Sequence, residues 1–281
     1  MAHPVPRPCH AMAAPPPPRL PRVSSPSQDS TKYGHTKGFF AYNKNGGFWM
    51  VHSTPNFPMF AGSSYDGFPS NEETYGQSFL CVSLQAGAWE SVANLFLLNR
   101  PDFYVHDLPT TYASIAPSMV AAMNGTWIHE GASKTVNLAA TIGDVATDLP
   151  LIAFGKNANW GQDLYDALVA PTLKQDLDVE TWIRGSAYGP YCTSPTVLDV
   201  QTLSWPWGVD ETETQDHSKW AIAADSSSAW VCIGDINRMT SQAGRGGGTV
   251  CFQNSILHSA FRGAVKSTDS CSSASLRGAA M

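Results

Sequence analysis

At 281 residues, 43 % of them hydrophobic, the chain is long enough for one large domain or two packed halves, and it holds no 18-residue apolar run, so a membrane-spanning helix is not expected. Charged residues are sparse at 14 %, against about a quarter in an ordinary globular protein, whereas 9 Trp, 9 Tyr and 12 Phe enrich the aromatics, a composition closer to exported than to cytosolic proteins. The formal charge of −6 has the wrong sign for bulk attraction of a polyanion at neutral pH, but protonating the 8 histidines more than cancels it, so a nucleic acid is better attracted in an acidic compartment.

Residues 1–30, with Ala13-Ala14-Pro15-Pro16-Pro17-Pro18 and a Ser/Pro stretch to Ser30, are expected to be disordered, with no apolar core of the length a signal peptide needs. The remainder, 31–281, reads as one domain whose halves run over about 31–175 and 176–281. Residues 38–42 and 48–52 predict a hairpin around Asn43-Lys44-Asn45-Gly46-Gly47, and Thr54-Pro55-Asn56-Phe57-Pro58 ends its second strand, because proline cannot donate to a ladder. Residues 75–84 predict another strand. Trp89, Val92, Ala93, Phe96 and Leu97 recur at three- and four-residue steps, which predicts an amphipathic helix over 85–99. After irregular sequence over 100–133, strands are predicted at 135–140 and 149–154, a helix at 164–173, and strands at 178–184, 198–203, 218–224 and 229–233. A strand at 247–252 and a short helix at 254–261 follow, and the tail beyond Ser267 reads as loose apart from Cys271. Strands interleaved with helices favour an α/β layered domain.

The pattern with chemical content is His-x-Lys, present as Gly34-His35-Thr36-Lys37-Gly38 and again as Asp216-His217-Ser218-Lys219-Trp220. Residues i and i+2 of a strand point to one side, so each unit can present an imidazole and an ammonium together to one ligand. That pairing suits a phosphodiester: the imidazole attacks or protonates, the ammonium neutralises phosphoryl charge, and neither task needs a metal. Residues 48–56 can be laid over 229–237 without a gap, which superposes Trp49 on Trp230 and Asn56 on Asn237. This reads as a diverged internal duplication, with one site at a pseudo-twofold interface.

Taken jointly with Gly46-Gly47-Phe48-Trp49, Tyr75-Gly76-Gln77, Leu80-Cys81-Val82-Ser83, Trp230-Val231-Cys232-Ile233-Gly234-Asp235-Ile236-Asn237-Arg238 and Arg245-Gly246-Gly247-Gly248-Thr249, these units resemble the deoxyribonuclease II family of the phospholipase D-like superfamily, from about Ser27 to Cys271. The resemblance implies an α/β fold with a pseudo-twofold pair of sheets flanked by helices. It also implies metal-independent, cofactor-free hydrolysis of DNA at acid pH to 3′-phosphate ends through a phosphohistidine. One of His35 and His217 would attack while the other protonates the leaving oxygen, with His35 the slightly favoured nucleophile. Lys37 and Lys219 would clamp the phosphate, supported by Asn56, Asn237 and Asp235. Carried over by position, the disulfides are Cys192–Cys271 and Cys232–Cys251, and a lysosomal or secreted protein is implied, with the sequon at Asn124 a glycosylation candidate and a homodimer a possible assembly. The family carries a longer segment before its first His-x-Lys, so the chain reads as shortened at that end, and the rival expectation is a truncated member that only binds nucleic acid or fails to fold.

Other features have blander readings. The six cysteines show no C-x-x-C or Cys/His spacing of a zinc site, which leaves disulfides. His52 sits beside the first unit as a supporting or merely structural residue, and His106, His129 and His258 lack any partner pattern. Trp49 and Trp230 read as core rather than base-stacking residues. Asp216 and Asp235 can each orient a histidine or tune its pKa, with a turn or capping role an equal alternative for Asp216, and the glycine run at 246–248 forms a tight turn or offers amides to a phosphate.

Overall fold

A computed structural model describes residues 22–23, 32–55, 70, 72–142 and 145–271. The predicted disorder of residues 1–30 and the site residue Asn56 lie outside the described residues, apart from 22–23. A short ribbon pairs β1 (Arg22–Val23) with β5 (Val105–His106). All other strands join one 12-stranded sheet. In the first half these are β2 (Gly38–Asn43), β3 (Gly46–His52), β4 (Phe79–Gln85) and the long hairpin of β6 (Ser133–Ile142) and β7 (Val145–Lys156). In the second they are β8 (Leu177–Thr181), β9 (Val197–Trp205), β10 (Val209–Thr212), β11 (Lys219–Ala223), β12 (Trp230–Gly234), β13 (Gly247–Gln253) and β14 (Val265–Thr268).

Across the sheet the order is β10-β9-β8-β11-β12-β13-β7-β6-β4-β3-β2, with β14 also on β9, and every pairing is antiparallel except β8–β9. The fold is therefore mixed α/β with a mostly antiparallel sheet, not a regular alternation of strand and helix. β4 and β6 share only the Leu84–Ala140 partner pair, and beyond this weak joint the sheet curls until β3 approaches β12, far away in strand order. Curling is what lets two sequence-distant strand entrances face each other.

Alternation along the strands explains why the sheet is buried on both faces. Trp220, Ile222, Val231, Ile233 and Val250 point into one core with Trp49, Leu84 and the helix α1 (Trp89–Asn99). Ala221, Cys232, Cys251, Leu177 and Val179 point into the other, under the helical segment Tyr165–Val169 and Ala170–Leu173. The Cys232–Cys251 disulfide joins directly paired residues of β12 and β13, and Cys192–Cys271 ties the loop before β9 to the residues following β14. α1 buries the predicted stripe of Trp89, Val92, Ala93 and Phe96. It stops at Arg100, which adopts a left-handed conformation with φ of 53° and whose carbonyl accepts from Gly34 N at 2.9 Å.

Several predicted elements shift. The strand expected from Tyr75 begins at Phe79, because 72–75 form a turn and Gly76 bridges to Asp216 instead. Pro117–Met123 is a helix in sequence that showed no clear period, and a strand not expected from sequence, β14, pairs with β9 just ahead of the tail. The strand register places Val51 opposite Gly38 and Leu80, as Ile233 is placed opposite Trp220 and Val250. Trp49 is thus equivalent to Val231, one residue away from the tryptophan-on-tryptophan superposition. A one-residue slip reverses the faces: Trp49 and Val231 lie in the same core, while Trp230 packs against the other.

Candidate active site

Both His-x-Lys units sit at strand entrances, the first just before β2 and the second running into β11. In each, the lysine folds back on its own histidine. Lys37 Nζ lies 3.3 and 3.4 Å from the His35 ring nitrogens and donates to the His35 carbonyl at 2.8 Å. Lys219 Nζ lies 3.1 Å from His217 Nδ1 and donates to the His217 carbonyl. Lys219 and His217 are buried, whereas His35 and Lys37 are half-buried.

Each unit is held by the other half of the chain. His35 N donates to the Gly246 carbonyl at 2.7 Å, and His217 N to the Gly76 carbonyl at 2.8 Å. His35 Nδ1 donates to the Asp235 carbonyl at 2.6 Å, while the His217 ring is hydrogen-bonded to the backbone of Ser53. A carbonyl only accepts, so the His35 proton sits on Nδ1 and the lone pair on Nε2 is left for chemistry. The buried Asp235 carboxylate accepts from Thr36 Oγ1 at 2.5 Å and Gly248 N at 2.9 Å. In the second unit, Asp216 accepts from Ser218 N at 2.8 Å and Ser218 Oγ at 2.7 Å, and the Ser78 hydroxyl accepts from Lys219 N at 3.2 Å.

The glycine run at 246–248 is buried and leads into β13, so it is not a tight turn. It lets backbones meet: a Cβ on Gly246 would lie 2.2 Å from the Asn99 carbonyl oxygen, and one on Gly34 only 2.1 Å from the same atom. The approach to this run is fixed by Lys156, whose buried ammonium donates to the carbonyls of Gln242, Ala243 and Arg245 at 2.9, 2.9 and 2.7 Å. Gly246→Ala is expected to cost about 1–3 kcal/mol through overpacking and to reduce turnover through displacement of His35. Urea unfolding and plasmid cleavage read the two effects separately.

Burial and neighbouring cations depress the basicity of both imidazoles and both lysines. Burial, then Lys219 and Lys37, hold His217 down to about 3. Burial, then Lys37, Lys219 and Arg245, hold His35 well below the ordinary imidazole value. Lys37 is lowered to about 8 by burial against the pull of Asp235, and Lys219 well below its usual value by burial and Lys37. Each of the four groups thus feels the charge of the other unit or of its neighbours, and burial with these cations favours the neutral form of both imidazoles in the free chain. An entering anion reverses the balance. The His217 ring resonance is expected not to titrate between pH 7 and about 4 in the free protein, and its midpoint should rise when inorganic phosphate is added, as histidine NMR would record. A midpoint near 6.5 without ligand would contradict this placement.

Comparison with known proteins agrees with these blocks, since the family model described as deoxyribonuclease II matches residues 20–271. The chain belongs to the deoxyribonuclease II family. It is 36 % identical over 241 residues to plancitoxin-1 of Acanthaster planci, covering 85 % of this chain and 66 % of that protein. It is 40 % identical over 235 residues to deoxyribonuclease-2 of Caenorhabditis elegans, covering 83 % and 60 %. To deoxyribonuclease-2-alpha of Rattus norvegicus it is 36 % identical over 256 residues, covering 89 % and 71 %. The chain thus spans about two thirds of the length of these curated relatives.

In this member of the deoxyribonuclease II family the remaining expected site residues fall in different places. Asp235 engages Thr36 and Gly248 with its carboxylate and His35 with its carbonyl, so it orients the first unit. Asn237 is buried with an unpartnered Oδ1, near Lys156 and Tyr188. His52 is buried between Phe39 and Phe79, each about half exposed, and is lowered to about 4 by burial and Lys37. Trp49 is in the core, His258 bonds the Ala223 carbonyl at 2.8 Å, and His129 stacks on Trp127. Among the described residues no three His, Cys, Asp or Glu side chains gather as cation ligands do. Sequence reading missed Lys156, a lone lysine in a hydrophobic strand, and Trp182, whose ring centroid lies 4.4 Å from that of His217.

Proposed function

We propose that this chain hydrolyses DNA phosphodiester bonds without a metal or cofactor, at acid pH, using His35, Lys37, His217 and Lys219. The observation that supports it is the meeting of the two His-x-Lys units, each braced by the opposite half. The reciprocal bonds and the matching registers of β2-β3-β4 and β11-β12-β13 support a pseudo-twofold relation of phospholipase D type between halves at about 31–175 and 176–281. His35 Nε2 attacks phosphorus and the bond to O5′ breaks. The His217 imidazolium gives its proton to that oxygen, leaving the 3′-nucleotide on His35 as a phosphohistidine. His217, now neutral, takes a proton from water, which displaces His35 and releases a 3′-phosphate end. Lys37 and Lys219 neutralise the non-bridging oxygens, with Asn237 and Asn56 as supporting candidates and Asp235 orienting the nucleophile.

The acid dependence follows from the sign of the shifts. Burial and then lysine charge keep His217 neutral in the free site, the phosphodiester anion raises its proton affinity, and low pH completes the protonation that the leaving group requires. Exposed Asn124 at the end of a helix is suited to a glycan, in keeping with a proposed secretory or lysosomal location, and a homodimer is a further proposal that sedimentation would test. With the four groups in place, a binding-only role has no observation in its favour. Supercoiled plasmid should be nicked at about pH 5 with EDTA present, and the new ends should block polymerase extension until treated with phosphatase. Cleavage abolished by EDTA, or ends extended without phosphatase, would refute this chemistry.

A further inference from the structure

We infer that Arg184, Trp182 and Tyr75 form a subsite for the nucleotide adjacent to the scissile phosphate on the His217 side. This rests on the reading of His35 and His217 as the reacting pair. Trp182 leaves the end of β8 half-buried, its Nε1 donates to the Thr214 carbonyl at 3.1 Å, and its ring packs on His217 with 4.4 Å between centroids. Tyr75 meets Trp182 edge to face at 5.9 Å and is followed by Gly76, whose carbonyl accepts from His217 N. The wall is therefore fixed to the imidazole by both ring contact and backbone.

Arg184 completes it. Its side chain is exposed, and its guanidinium lies 4.9 Å from the Trp182 centroid and 5.6 Å from that of Tyr75. It makes no ion pair among the described residues, although the chain is acidic overall. A guanidinium oriented by aromatic rings instead of a carboxylate keeps its donors for an incoming anion. Its charge also reaches His217. A phosphate next to the scissile one in a polynucleotide supplies that anion, and the attached base or sugar can lie against the exposed parts of the rings, a contact tolerant of sequence.

Arg184→Ala is compared with the parent chain at about pH 5 on a short oligodeoxynucleotide and on bis(4-nitrophenyl) phosphate, which offers no flanking phosphate. The expected result is a KM for the oligonucleotide raised about tenfold with kcat retained, while hydrolysis of the small diester is unchanged. An unchanged oligonucleotide KM, or an equal loss on both substrates, would overturn the subsite, the latter indicating that Arg184 acts on His217. Fluorescence anisotropy of a labelled oligonucleotide, measured with His217→Asn and with His217→Asn/Arg184→Ala, gives a readout independent of cleavage. Weaker binding of the double variant supports the subsite even where the parent cleaves neither substrate and the hydrolytic reading fails, and equal binding refutes it.

Discussion

His35→Ala and His217→Ala are each expected to lower plasmid cleavage at about pH 5 by at least about a thousandfold, and the double variant should be little worse than either one. Nucleophile and general acid serve one reaction path, so removing the first leaves nothing for the second to assist. The proposed assignment gives the attack to His35, whose ring proton is held by the Asp235 carbonyl with Nε2 left over, although the His217 ring is bonded to the Ser53 backbone in a similar way. His217→Ala should therefore still form a covalent adduct with a substrate whose leaving group needs no protonation, such as a 4-nitrophenyl ester, whereas His35→Ala should not. Adduct formation by His35→Ala alone would exchange the two roles. Each variant should retain its thermal transition within a few degrees, which separates chemistry from folding.

Removing Arg238 is expected to have the largest effect on stability. Its fully buried guanidinium lies 2.7 Å from Asp199 and 3.4 Å from both Asp163 and Asp166, and also donates to the Gly189 carbonyl at 2.8 Å. Without it three carboxyl groups face one another in the interior, and Arg238→Met should cost about 3–5 kcal/mol near neutral pH, the usual penalty for an orphaned buried charge. Burial already raises Asp199 to about 7 and Asp166 to about 6, with Arg238 pulling both down. A carboxyl group whose folded pKa exceeds its unfolded value contributes stability that is full below the unfolded value and is lost as pH rises through the folded one. The parent should accordingly lose stability from these two groups between about pH 4 and pH 7 and then level off. In Arg238→Met the same groups hold protons still more tightly, so its deficit should be greatest above pH 7 and shrink towards pH 4. Urea midpoints at both ends of that range check the sign, and a deficit that grows in acid would contradict it.

The parts of the fold that were legible in sequence are those with strong local periods. The Trp89–Phe96 stripe marked α1, and the Asn/Gly turn marked the β2–β3 hairpin, where residues 44 and 45 make the turn and Gly46 takes a φ of 138° that a side chain would resist. The His-x-Lys repeat likewise pointed to the pair of units, because identity of residue types survives duplication. What was not legible depends on tertiary register. Aligned tryptophans were a reasonable guide to equivalence, yet hydrogen bonding between strands, not side-chain likeness, decides which residues correspond. Lys156 and Trp182 were invisible for a related reason: a buried lysine acquires its role only when three carbonyls from a distant loop converge on it, and an aromatic beside a strand end shows no period. Asp235 was named with the phosphate support on the strength of the resemblance, and only the fold shows its carboxylate gathering the Thr36 hydroxyl and the Gly248 amide.

The crossed bonds from His35 N to Gly246 and from His217 N to Gly76 have a consequence for biogenesis. The chain emerges from the ribosome with its first unit long before its second, and Gly246 follows His35 by 211 residues. Until that later segment closes onto the opening strands, His35 lacks its backbone anchor, so a nascent or half-opened chain holds only part of the candidate site. Under the proposed function, the capacity to cut would come only with this long-range closure.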